Sequence, residues 1–125
     1  MRRVLVYITA LVEVPTGLAL LLIPDRLCSV LLGLHCESLL EFALCRLAGG
    51  ALVALGVACW SAARTNQSHL LVPAAFFYNL VAALVLGVPW MKGTVSAPML
   101  LPAVILHTLM TLALLTGIVG ERPVE

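Results

Sequence analysis

Charge is scarce in this sequence. Only 10% of its 125 residues are Asp, Glu, Lys or Arg, where an ordinary soluble domain carries about 25%. Apolar residues make up 62%, and the mean hydropathy is +1.14. So few polar groups cannot cover a globular surface in water, so the solvent for most of this chain is lipid. The net charge of +1 supplies no basic patch to neutralise phosphates, which argues against a nucleic-acid partner. The four cysteines, Cys28, Cys36, Cys45 and Cys59, contain no C-x-x-C or C-C pair. Zinc, thioredoxin-like and mercury-shuttle chemistry therefore lack their usual spacing, and no metal is expected. There is also no glycine-rich nucleotide loop, no serine-nucleophile motif and no cofactor attachment site, so no cofactor is expected.

What is present is a set of four apolar runs, within one integral membrane domain over 1–125. They cover about 4–23, 39–60, 70–90 and 98–119, and at ~1.5 Å rise per residue about 20 residues cross a ~30 Å hydrocarbon core. Short polar links at 61–69 and 91–97 favour antiparallel neighbours. The fold predicted is an all-α, four-transmembrane-helix up-down bundle. Between the first two spans, Leu27–Leu34 is apolar but too short to cross, and is read as an interfacial half-helix. Ser38 with Glu41 has the spacing of a capping box at the start of the second span. Met1-Arg2-Arg3 has the look of a signal-peptide n-region, but Glu13 interrupts the run and no A-x-A site follows, so the first run is read as a retained span.

Lys and Arg set the orientation. Arg2, Arg3, Arg64 and Arg122 fall on one side, and Arg26 and Lys92 on the other. By the positive-inside rule both termini are expected in the cytoplasm of a bacterial inner membrane. Tyr7 and Trp60 then mark the inner interface and Trp90 the outer one.

Each span carries strong polar residues near its middle: Glu13, Arg46, Tyr78 with Asn79, and His107. Counted from the outer helix ends they lie ~10 to 17 Å deep, in one layer. A charge at a helix centre costs about 2.5 to 3.5 kcal/mol on insertion scales, so such groups turn inward and mark candidate functional sites. Glu13 and Arg46 are expected to pair, with Asn79, Tyr78 and His107 supplying hydrogen bonds. Such a pair is equally compatible with a purely structural role. Pro15 cannot donate to the Leu11 carbonyl, which predicts a kink just past Glu13. Gly50, Ala54 and Ala58 make a small-residue ridge for close helix approach, and Gly17 and Gly49 sit one turn from the charges.

The remaining candidates read more plainly. His107 is the one histidine inside a span, and it lacks a second ligand at metal spacing. His35 and His69 fall in links and are expected in solvent. Cys45 and Cys59 read as packing residues, while Cys28 and Cys36 share the outer side, where an oxidising compartment would permit a disulfide. Glu37 and Glu41 read as a solvated pair at a helix N-terminus.

Glu13-x-x-x-Gly17-x-x-Leu-Leu-x-x-Pro24, then Leu31-Leu-Gly-Leu34, then Arg46-Leu-Ala-Gly-Gly-Ala-Leu-Val-Ala-Leu-Gly56 resembles small bacterial four-helix membrane proteins of the DoxX-like kind. The resemblance covers the first half of the chain and implies a four-helix inner-membrane bundle with no particular activity. Tyr7 and Glu13-Val14 with Gly17 are also similar to the small multidrug resistance exporters, whose Glu binds protons and cationic drugs in a dimer. The chain departs from that pattern at Arg46, which would neutralise Glu13, and at Phe76-Phe-Tyr-Asn79 in place of a glycine-rich helix.

The reading is a non-enzymatic membrane protein whose polar layer holds a small amphipathic or anionic molecule, of quinone or lipid-headgroup type. Arg46 holds an oxygen, Asn79 or Tyr78 orients it, and Glu13 or His107 exchanges a proton. The sequence leaves three alternatives open: a proton-coupled transporter working as a homodimer, a structural subunit of a membrane complex, and an enzyme using Glu13 and His107 as acid and base.

Overall fold

The computed structural model describes Met1–Val119, and among these residues the structure is helical with no strand. The helices are α1 (Arg2–Leu22), α2 (Pro24–Leu32), α3 (Leu39–Arg64), α4 (Ser68–Met91) and α5 (Leu100–Val119). Four of them, α1, α3, α4 and α5, are long and apolar enough to cross a membrane. Their outward faces are dense with exposed Leu, Val, Ile and Phe, the composition that lipid tolerates and water does not. The protein is a multi-pass integral membrane protein on these grounds.

Local chemistry sets the boundaries. Pro24 occupies the first turn of α2, where its missing N–H costs nothing, and Gly33 (φ 67°) ends that helix in the left-handed conformation. The half-helix therefore starts three residues earlier than expected, at the proline rather than after it. The capping box forms as read: the Glu41 amide donates to Ser38 Oγ at 3.2 Å, and the Ser38 amide donates to Glu41 Oε2 at 2.9 Å. The Glu37 amide also donates to Glu41 Oε2, at 2.6 Å. α3 continues to Arg64, whose charge faces the negative end of the helix dipole. Asn66 takes the left-handed conformation (φ 60°) in the turn into α4. α1 remains one α-helix through Pro15.

α1 packs most extensively on α3, and α4 on α5; α1 and α4 meet across the centre, and α1 also touches α5. The α1–α3 contact is a backbone-to-backbone approach. A Cβ added at Gly17 would lie 2.6 Å from the Gly49 carbonyl oxygen, one at Gly49 2.7 Å from the Gly17 carbonyl oxygen, and one at Gly56 2.5 Å from Val14 Cγ2. The close-approach ridge is thus Gly49 against Gly17 and Gly56 against Val14, and not the expected Gly50, Ala54 and Ala58. Gly50 has open space at its Cβ position, and Ala54 and Ala58 are exposed. The core beneath this crossing holds Val6, Ala10, Cys59, Ala63, Val72, Ala75 and Leu114.

The two ends of the bundle differ. At one, Arg2 Nε donates to the Gly117 carbonyl at 2.7 Å, tying the start of α1 to the end of α5. There Tyr7 and Trp60 meet edge to face, centroids 5.2 Å apart, with Arg3 over the Tyr7 ring. At the other, α2 contacts α1, α3 and α5, and the Met99 amide donates to the Val30 carbonyl at 3.2 Å. Arg122, one of the charges used for orientation, lies outside the described residues.

Candidate functional site in the buried polar layer

Glu13 on α1, Asn79 on α4 and His107 on α5 all point into the bundle, with exposures of 1%, 2% and 8%. Their helices place them there for a common reason: in each, the polar residue shares a stripe with small or apolar core residues. On α1 the stripe is Val6, Thr9, Ala10, Glu13 and Gly17; on α4 it is Val72, Ala75 and Asn79.

Asn79 and His107 join α4 to α5. Asn79 Nδ2 donates to the Ala75 carbonyl of its own helix at 2.8 Å. Its Oδ1 is then the acceptor, and His107 Nδ1 donates to it at 2.8 Å. With the proton on Nδ1, the Nε2 of a neutral ring is left as an acceptor. Thr111 Oγ1 donates to the His107 carbonyl at 2.7 Å, one turn on. Tyr78 stands edge to face against the His107 ring, centroids 5.8 Å apart. On its other side Tyr78 interacts electrostatically with Glu13 without closing a hydrogen bond of good geometry. Cys59 on α3, fully buried, also lies within electrostatic reach of Glu13. Both carboxylate oxygens of Glu13 are buried without a hydrogen-bond partner.

Arg46 corrects the sequence reading. It is exposed on α3 and does not meet Glu13, whose oxygens are unpartnered. The buried stripe of α3 runs through Gly49, Gly56, Cys59 and Ala63. Arg46 lies about 100° around the helix from the middle of that stripe. Residue depth was readable from the sequence; azimuth was set by the glycine crossing, which turns Arg46 outward. Its long side chain can carry the charge toward the interface.

Two apolar grooves open on the outer surface near this layer. One, of about 360 Å³, runs between α4 and α5 from Leu80 and Thr111 to Trp90. Leu80 follows Asn79 in sequence and Thr111 lies one turn from His107, but none of Glu13, Tyr78, Asn79 and His107 lines the groove. The second, of about 300 Å³, lies between α1 and α3 over Ala10, Val14, Pro15 and Trp60.

All four cysteines are free thiols, and Cys45, expected to be a packing residue, meets both Cys28 and Cys36. Cys59 is the core residue expected. Burial, then the neighbouring thiols, push the Cys28 thiol up to about 12. Asp25 is held below the usual carboxylate range, first by the Cys36 amide and further by His35. His35 is exposed in its link, as expected; His69 is exposed too, but in the first turn of α4, which starts at Ser68, and not in a link.

No known protein family, no curated protein and no solved structure matches this chain.

Proposed function

We propose that this membrane protein binds a small amphipathic molecule, of quinol or lipid-headgroup type, with the head group in the layer of Glu13, Tyr78, Asn79 and His107, and that it performs no chemistry on it. The observation that carries this reading is the Glu13 carboxylate, buried with both oxygens unpartnered. Buried polar groups are nearly always satisfied, and a charge in hydrocarbon needs a partner. Glu13 and His107 Nε2 offer acceptors, so the head group that fits is a donor: a hydroxyl or an ammonium. The anionic ligand loses its holding residue with Arg46 facing outward. The apolar groove between α4 and α5, which runs from Leu80 and Thr111 to Trp90, suits the apolar part of such a molecule.

The DoxX-like resemblance of the first half of the chain supports a place among small bacterial inner-membrane bundles. The excess of Arg at the Arg2–Arg3–Arg64 end supports cytoplasmic termini. The test of binding is thermal stabilisation of the delipidated protein by a panel of long-chain quinols, amines and monoacyl lipids. A member that raises the Tm of wild type in a concentration-dependent way, and not that of Glu13→Gln, supports the site. A panel that shifts both proteins equally counts against it.

One observation favours a second reading. Arg46 would have spoiled a cation site, and it does not approach Glu13. A proton-coupled exporter of cationic molecules, as a homodimer, therefore keeps its central carboxylate. Flux in proteoliposomes that follows a pH gradient and vanishes in Glu13→Gln distinguishes transport from binding alone.

A further inference from the structure

Three thiols from three separate segments converge at the α2 end of the bundle. Cys28 lies on α2, Cys36 in the link after it, and Cys45 in the second turn of α3. The Sγ atoms of Cys28 and Cys45 are 3.5 Å apart and those of Cys36 and Cys45 3.9 Å. All three lie within 4.8 Å of one another. Their sequence separations of 8 and 9 residues match no metal-binding motif, so only the fold of the α2–α3 turn brings them together.

The spacing is that of a ligand set. An ion with metal–sulfur bonds of about 2.3 Å separates three sulfurs by about 4.0 Å when it lies in their plane, and by about 3.8 Å when it sits tetrahedrally above them. A disulfide would instead bring two sulfurs to about 2.0 Å and leave the third alone. The surrounding contacts hold the segment in place. Asp25 Oδ1 accepts from the Cys36 amide at 2.9 Å and from His35 Nδ1 at 3.1 Å, the Ser38–Glu41 box fixes the start of α3, and Met99 ties α2 to the head of α5. All three cysteines are only half-buried, which leaves a path for an ion.

We propose that Cys28, Cys36 and Cys45 form a three-thiolate site for a soft, thiophilic metal ion of the Cu(I) class. Sulfur-only donors select soft ions over Mg, Ca or Mn. A set of three, with no fourth protein ligand in the cluster among the described residues, suits an ion that accepts trigonal coordination. On binding, each thiol gives its proton to water and each sulfur supplies an electron pair to the ion; no electron is transferred and the oxidation state of the metal is unchanged. The site lies at the end of the bundle and does not depend on the function of the Glu13 layer.

The test is titration of the full chain in detergent, reduced and under nitrogen. Cu(I) is added against a competing chelator, and Cd(II) is followed by its sulfur-to-metal charge-transfer absorption. Wild type is expected to take up one ion, and Cys28→Ser, Cys36→Ser and Cys45→Ser each to weaken binding by at least about tenfold, with helix content unchanged by circular dichroism. Cys59→Ala is expected to bind as wild type does. Reduced, folded wild type that takes up neither ion overturns the proposal. So does a Cys45→Ser variant that binds as tightly as wild type, because two thiols would then suffice.

Discussion

At the residue scale the account turns on Glu13. A carboxylate that holds a fold together through a partner leaves that partner stranded when it is changed, at a cost of about 3 to 5 kcal/mol for a buried pair. Glu13 closes no hydrogen bond of good geometry in the described structure, and Tyr78 stands only within electrostatic reach of it. Glu13→Gln is therefore expected to change unfolding free energy by less than about 1 kcal/mol, measured by denaturation in mixed micelles, while removing ligand binding. Asn79→Ala is the opposite case. It strips the acceptor from His107 Nδ1 and removes the bond across α4 and α5, and should cost about 0.6 to 1.7 kcal/mol, the range of interhelical hydrogen bonds in membranes. Arg46→Met, on the exposed side of α3, should stay within about 0.5 kcal/mol. Glu13, Asn79 and His107 were legible in the sequence because strong polar groups inside apolar runs face inward. The outward turn of Arg46 was not legible, because depth along a helix says nothing about which side of it meets a neighbour.

At the element scale the α1–α3 crossing decides the geometry. Gly17, Gly49 and Gly56 let two backbones touch, and that contact fixes the rotation of both helices and so aims Glu13 inward and Arg46 outward. Gly49→Val should force the helices apart and cost about 1 to 3 kcal/mol or more by overpacking, whereas Gly50→Ala, which meets open space, should be neutral or slightly stabilising through helix propensity. Paired thermal-unfolding measurements on the two variants separate these outcomes. The sequence displayed small residues on both sides of α3 and no means of choosing between adjacent glycines; only the partner helix selects Gly49 over Gly50. The starts of α2 and α3 were more readable, since Pro24 and the Ser38–Glu41 box act through local hydrogen bonding alone.

At the scale of the whole molecule, the four spans and their up-down order were legible because hydrocarbon thickness and short links leave few other arrangements for a chain this apolar. The cysteine cluster was not legible, because it is assembled by a turn whose path depends on Asp25 reaching the Cys36 amide eleven residues on. The two ends of the bundle face opposite sides of the membrane, so single cysteines placed at His69 and Lys92 in a cysteine-free background should react with an impermeant maleimide from opposite sides. Labelling of the Lys92 site in intact cells and of the His69 site only after lysis fits cytoplasmic termini; the reverse pattern inverts the orientation and leaves the bundle intact.

The central claim is that the buried layer receives a molecule from outside the chain. Its most direct test is mass spectrometry of small molecules retained by the protein in native-lipid nanodiscs, comparing wild type with Glu13→Gln and His107→Ala at equal helix content. The account predicts one amphipathic, hydrogen-bond-donating species near one per protein in wild type and depleted in both variants. The same species at equal occupancy in all three samples, or none in any of them, would contradict it and return Glu13 to a structural role.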